Sequence, residues 1–329
     1  MTSFAAPRLA ASLAEHPWAR FTVRRLTRLV VSLWVLVTAS FLMIHLIPGD
    51  PVRAALGPTA PVSLVNQRRE DLGLNDPLWL QYAHYIRGLV TGDLGTSMTS
   101  QLPVSQIVAD RLPPTVVLAL LAFVVAIAIA VPVGVTMAVL TRNGRGRRTE
   151  LGFTSTSVVL GTIPDFLLGV GLVYLFAVQL QWLPVAERSG PSSYVLPVLA
   201  LSIGPAAVLA RIVRVEMAAV LHTDYVRTAR AKRLPSAAIY LNQALPNALT
   251  TSITLGGLLL SALVAGTVLV ENVFAWPGLG STIVQSIQVK DYPVVQVIVL
   301  IYGIAVLVVN LIVDIVLALL DPRSTIRES

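Results

Sequence analysis

Six runs of about twenty or more apolar residues punctuate the chain, at roughly 28–47, 114–140, 152–181, 194–217, 248–271 and 294–320. About twenty helical residues, rising 1.5 Å each, span the ~30 Å hydrocarbon layer of a bilayer. Inside that layer every backbone N–H and C=O must be satisfied within the protein, which leaves only helices or closed barrels. The runs are continuously apolar rather than alternating, so the expected fold class is an all-α integral membrane protein with six transmembrane helices. Charge supports this: 12% of the 329 residues are charged, about half the usual ~25% of a soluble domain. Pro132, Pro164, Pro197 and Pro205 fall inside the runs, where neighbouring helices can satisfy the carbonyls they free.

Basic residues set the orientation. With the N-terminus in the cytoplasm, 17 of the 24 Lys and Arg face that side. They are Arg8, Arg20, Arg24, Arg25 and Arg28 at the start; Arg142, Arg145, Arg147 and Arg148 after the second run; Arg211, Arg214, Arg227, Arg230, Lys232 and Arg233 around the fourth-to-fifth connection; and Arg323 and Arg327 at the end. Five of the other seven lie in 48–112, beside six acids. The positive-inside rule then puts both termini in the cytoplasm. The expected organisation is a cytoplasmic segment 1–27, a first transmembrane helix 28–47, an extended external segment 48–112, a five-helix core 113–320 that includes a cytoplasmic loop 218–247, and a cytoplasmic tail 321–329. Basic residues followed by an apolar run also suit a cleaved signal peptide. This run is too long for that, and "LIPGDP" rather than a small-x-small site follows it.

The chain excludes several chemistries. It has no Cys, hence no disulfide or thiolate. Its only lysines are Lys232 and Lys290, and neither follows a Gly, so no G-x-x-x-x-G-K-[ST] phosphate loop exists. No enzymatic activity and no bound cofactor or metal are expected. If the work needs ATP, a partner binds the ATP and its Mg. A membrane-embedded metalloenzyme is disfavoured by four His without a cluster at metal-ligand spacing. The net charge of +7 reads as an orientation signal, with lipid and not nucleic acid as partner.

The stretch "DYVRTARAKRLPSAAIYLNQALPNAL" (224–249) is basic, helix-prone and cut by Pro235. Asp224 suits an N-cap, and Tyr225 to Lys232 make about two turns. Lys232 and Arg233 sit where cations complement the helix dipole, and Pro235 stops the helix. A second helical stretch, 236–245, runs to Pro246. By spacing, Tyr225, Ala229 and Lys232 share one face. Taken alone, the stretch could equally be a solvated basic loop.

This stretch resembles the cytoplasmic loop of bacterial ABC-importer permeases, E-A-A-x-x-x-G, nine residues, then I-x-L-P. Ala229 matches, as do Leu245 and Pro246, while Arg227, Thr228, Arg233 and Gln243 depart from it. Positive φ at Arg233 would cost roughly 1 kcal/mol relative to Gly. "LIPGDP" (46–51), "LGLNDPLWLQYAHYIRGLVTGDLGTS" (72–97), "VENVFAWPGLGSTIVQSIQVKDYPVVQ" (270–296) and "VNLIVDIVLALLDPR" (309–323) are similar, in the same order, to segments of the B-type permease of oligopeptide/dipeptide (peptide/nickel) importers.

The resemblance implies the type I ABC-importer permease fold in a bacterial inner membrane. It also implies half of a path for peptides or a related small solute. Its partners would be a homologous C-type permease in a pseudo-two-fold pair, a cytoplasmic ATPase and an extracytoplasmic substrate-binding protein. Asp224, Tyr225, Arg227, Thr228, Ala229, Arg230, Lys232, Arg233, Leu245 and Pro246 would form the ATPase-coupling loop, with Ala229 toward the ATPase. Glu271, Asn272, Trp276, Pro277 and Gly278 would form an external gate or binding-protein contact. A plain interfacial anchor at Trp276, before a short amphipathic or re-entrant helix, is the alternative.

Acids within the spans are costly and point to function or to a partner. Asp165, after Pro164, either lines the path or is a structural acid. Asn310 and Asp314 share a face that suits packing. Together the intramembrane acids would also suit an ion-coupled transporter, the rival from another class. Gly169, Gly171, Gly256 and Gly257 are expected to allow close helix approach.

Overall fold

A computed structural model describes residues 17–46, 51–57, 59–71, 73–142, 146–184 and 190–320. Both chain ends, 1–16 and 321–329, and residues 47–50 of the "LIPGDP" motif lie outside the described residues. The described chain is helical throughout, with one isolated bridge, Thr96 to Pro103. We number the helices α1 (Pro17–Leu46), α2 (Pro51–Leu56), α3 (Val62–Asp71), α4 (Leu78–Thr91), α5 (Val104–Leu140), α6 (Arg147–Thr162), α7 (Asp165–Leu172), α8 (Val195–Val220), α9 (Asp224–Ala231), α10 (Leu245–Val273), α11 (Leu279–Gln288) and α12 (Tyr292–Leu320).

Among the described residues, five helical segments are long and apolar enough to cross a bilayer: Val23–Met43, Val104–Leu140, Pro191–Val220, Gly256–Val273 and Tyr292–Leu317. The third apolar run of the sequence is not a straight span. It breaks into α6 and a second piece, Asp165–Gln179, bent by 97°. The cause is local. A residue before proline is pushed from the helical region, and Ile163 (ψ 124°) and Pro164 (ψ 138°) are both extended. The second piece ends in a wide π-turn, Val173–Gln179. At 37 residues, α5 is ~55 Å long at 1.5 Å per residue. It therefore extends well beyond a ~30 Å hydrocarbon layer.

The core is built on α5 against α8, with α10 packed on α8 and α12 on α10. Hydropathy leaves the facing of α5 open, but residue size settles it. Ala122, Ala126, Ala130, Gly134 and Ala138 recur every fourth residue and are all buried. A stripe of small residues lets two backbones approach closely. A Cβ on Gly134 would lie 2.7 Å from the Ala210 carbonyl oxygen of α8. Of the glycines expected to serve this way, Gly169 packs on Phe274 and Gly257 on Val313. Gly256 has only an ordinary contact with Leu209, and Gly171 faces open space.

The segment between α1 and α5 is tied to the spanning helices at two places. Thr38 of α1 meets Tyr82 at 2.8 Å, and His45 meets Gln81 at 3.0 Å. The turn after α4 docks on Asp291, which heads α12. That carboxylate is buried and accepts from the Ser97 hydroxyl, the Thr99 hydroxyl (2.7 Å) and the Met98 N–H (3.0 Å). The left-handed Gly92 and Gly95 (φ 79° and 76°) shape this turn.

Candidate functional site

At one end of α5 and α8, helix α9 lies on a cluster formed by Ala138, Met217, Leu221, Ile239, Ala244 and Ala248. Only two of its side chains are buried, Val226 and Ala229. Tyr225, Arg227, Thr228, Ala231 and Lys232 are exposed, and Arg230 is half-buried. This reverses one expectation. Ala229, 7% exposed, faces the chain's own core, and it shares that face with Val226 rather than with Tyr225 and Lys232. A three-residue step from 226 to 229 describes the buried stripe as well as a four-residue step describes the exposed one. Spacing alone does not choose between them.

The ends of α9 also differ from expectation. Its N-cap is Thr223, and Asp224 is the first helical residue. The Thr223 hydroxyl turns back to the Val220 carbonyl at 2.6 Å. Asp224 pairs instead with Arg227 at 3.2 Å, both exposed. At the other end Arg233 has φ 54°, the strained conformation that its place in the loop pattern implies. Leu234 N–H donates to Ala229 O (3.3 Å) and Arg233 N–H to Arg230 O (2.9 Å). These are the two bonds of a Schellman termination, which usually carries Gly where Arg233 stands.

The stretch that follows does not stop at Pro246. Ser236–Ala238 leads into a π-helical segment, Ile239–Ala244, and straight on into α10, with Pro246 in its first turn. Proline follows directly on the π-helical turn, the kind of widened turn found where the regular hydrogen-bond ladder is interrupted. A continuous helical path therefore joins the loop to a spanning helix. Close by, Arg214 pairs with Glu150 of α6 at 2.5 Å.

At the opposite end, α10 runs into the turn Phe274–Gly278 and then α11. Glu271 is 0% exposed. One carboxylate oxygen accepts from Gly280 N–H (2.6 Å) and Ser281 N–H (3.2 Å), the otherwise unpaired amides at the start of α11. A negative charge is favoured at that position. Thr115 of α5 completes the seat by accepting from Leu279 N–H at 2.8 Å. No side chain fits at Gly280, where a Cβ would stand 2.5 Å from the Val268 Cα.

Trp276 is 1% exposed. Its indole donates to Pro114 O at 3.3 Å and meets Tyr194 edge-on at 4.6 Å. Trp276 is thus a core anchor and not an interfacial one, and Glu271 and Gly278 are buried with it. Of the expected outer contact residues, Asn272 is exposed and Pro277 partly so. The seat brings together Glu271, Thr115, Gly278 and Gly280. Thr115, in a separate apolar run, has no sequence signal linking it to Glu271.

Asp165 opens α7 at the break in the bent span and is half-buried. Its oxygens lie beside Gly204 of α8 and Gly266 of α10, where a Cβ would approach to 3.3 and 3.0 Å. Its carboxylate makes no hydrogen bond among the described residues. Several other polar groups of the spans are matched, although the second carboxylate oxygen of Glu271 is buried without a hydrogen-bond partner among the described residues. Ser261 donates to Asn310 at 3.1 Å, Thr267 meets Tyr302 at 3.2 Å, and Asp314 pairs with Arg25 of α1. No group of three or more His, Cys, Asp or Glu suited to a metal occurs among the described residues.

The chain is similar to known transport proteins along nearly its whole length. Residues 130–326 match the family described as binding-protein-dependent transport system inner membrane component, and residues 18–119 match the N-terminal region of such components. The glutathione transport system permease protein GsiC of Pectobacterium atrosepticum is 39% identical over 302 residues, covering 92% of this chain and 97% of the relative. GsiC of Escherichia coli is 37% identical over the same length and coverage. Among solved structures, the MetNI methionine ABC transporter in an inward-facing conformation matches with a TM-score of 0.55 at 18% identity, over 66% of this chain and 97% of the other. That likeness concerns the fold.

Proposed function

The chain belongs to the family of binding-protein-dependent transport system inner membrane components, and from that premise we propose how its parts serve import. It is a permease subunit of an ABC importer, a multi-pass and non-catalytic membrane component that works with a partner permease, an ATPase and a substrate-binding protein. Family membership overturns the ion-coupled alternative, and Asp314 is committed to Arg25.

The exposed face of α9, with Tyr225, Arg227, Thr228 and Lys232, docks on the ATPase. The carrying observation is the division of this short helix into an inward face, Val226 and Ala229, and an outward polar face. An eight-residue helix is marginal by itself, so its anchorage makes it a lever. Arg233, Leu245 and Pro246 form the stiff connection that passes its movement to α10.

Both termini are cytoplasmic, as the basic residues require. The external segment and the exposed Asn272 and Pro277 face the binding protein. The partner permease is a homologous C-type chain in a pseudo-two-fold pair, and Asp165 faces the path between them. The solute is a short peptide or a relative of one, such as glutathione, in keeping with the names of the similar permeases.

Because the chain has no Cys, a single Cys at Thr228 tests orientation and docking together. It should resist an impermeant thiol reagent in intact cells, react in inside-out vesicles stripped of ATPase, and be shielded when ATPase is restored. Labelling in intact cells would refute the orientation, and unshielded labelling with ATPase bound would refute the docking face. Uptake of labelled glutathione by the reconstituted importer, competed by short peptides, tests the solute class.

A further inference from the structure

We propose that the groove between α1 and α12 is a binding site for one anionic phospholipid. A cavity of ≈ 380 Å³ opens there, lined by Arg25 and Arg28 of α1, Leu258 of α10, and Asn310, Leu311 and Asp314 of α12. Its lining sets Arg25, Arg28, Ser32, Asn310 and Asp314 among leucines and Val313, so polar groups for a headgroup and apolar surface for an acyl chain adjoin in one groove. Among the spanning helices α1 packs chiefly on α12, and its flank of Val30, Val31 and Trp34 is exposed. The groove therefore opens sideways toward lipid.

Charge and depth identify the occupant. Arg25 is paired with Asp314, whereas Arg28 lines the same cavity and is exposed, with no ion pair among the described residues. The neighbouring Arg24 is exposed too. The site thus keeps uncompensated positive charge beside its one acid. Arg28 lies five residues inside the apolar span that begins at Val23, ~7 Å along the helix axis. Asp314 lies three residues before the other span's end at Leu317. A guanidinium at that depth reaches the phosphate level by extending its stem along the helix. Basic pockets between spanning helices at the cytoplasmic face suit anionic headgroups. The choice of the cytoplasmic leaflet rests on the orientation proposed above. Binding itself does not, so the test below is independent of orientation.

The importer is purified with its partner subunits in detergent and exposed to photoactivatable phosphatidylglycerol or to phosphatidylcholine with the same acyl chains. Phosphatidylglycerol should label 24–32 and 307–317, and phosphatidylcholine much less. Arg28→Gln, a change at an exposed side chain, should lower phosphatidylglycerol labelling about fivefold, which corresponds to the ~1 kcal/mol that one basic residue contributes near an anionic surface. Asp314→Asn should raise it. Excess inorganic phosphate should leave labelling intact. Equal labelling by the two lipids, labelling unchanged in Arg28→Gln, or displacement by free phosphate would overturn the proposal. So would crosslinking of a Cys at Ser32 to a partner subunit, since a protein would then cover the groove.

Discussion

Replacing Ala229 by Trp separates the two faces of α9. The Ala229 side chain is 7% exposed and sits among Met217, Leu221, Val226, Ile239 and Ala244. An indole has no room there unless the helix lifts. Overpacking a closed site costs ~1–3 kcal/mol, and a helix of eight residues has little stability beyond its anchorage. The expected result is local unseating of 224–233. Amide exchange there should quicken by about 10- to 100-fold, the range corresponding to 1.4–2.7 kcal/mol, while α5 and α8 keep their protection. Loss of ATPase co-purification should follow as a consequence. Val226→Ala, at a site 0% exposed, should unseat the helix in the same way by leaving a cavity. Tyr225→Ala, at a side chain 42% exposed, should leave exchange unchanged and weaken ATPase binding directly. Exchange has to be measured on the permease without its ATPase, so that docking cannot mask the difference. If Ala229→Trp abolished ATPase binding with exchange over 224–233 unaltered, Ala229 would face the partner and the assignment of faces would be wrong.

Three further outcomes follow from the geometry. Asp291→Ala removes the acceptor for Met98 N–H and for the hydroxyls of Ser97 and Thr99; at ~1.5–3 kcal/mol for a hydrogen bond to a charged group, protection of the Met98 amide should fall at least tenfold, and unchanged protection would show that the turn docks by other means. Arg233→Gly removes an L-residue from φ 54° and should stabilise the end of α9 by ~0.5–1 kcal/mol net of the added chain entropy, so faster exchange at Leu234 would contradict the strain argument. Glu271→Ala orphans the Gly280 and Ser281 amides, each buried donor costing ~1–3 kcal/mol, and should lower the melting temperature more than Glu271→Gln, which keeps an acceptor oxygen; the opposite order would rule out Glu271 as the seat of α11.

Much of this architecture was legible in the residues because its causes act within a few positions along the chain. Apolar runs long enough for a bilayer mark the spans. Pro235 marks the end of the α9 turn, while the loop pattern leaves a left-handed Arg233 as one of two ways to turn, the one taken at φ 54°. Two lysines without a phosphate loop assign ATP to another subunit. What stayed hidden is direction. In a membrane protein the lipid-facing and core-facing sides of a helix are both apolar, so hydropathy carries no facing signal. The inward side of α5 is chosen by the Ala and Gly stripe that fits α8. Two adjacent turns of one short helix likewise leave Ala229 free to face either way until Met217 and Ile239 are placed. The burial of Trp276 under Pro114 and the clasp between Ser97 and Asp291, 194 residues apart, depend on partners that adjoin only after the helices pack. Local covalent geometry therefore determines where helices begin, end and turn, whereas shape complementarity between distant segments decides which of their side chains are core, ligand or interface.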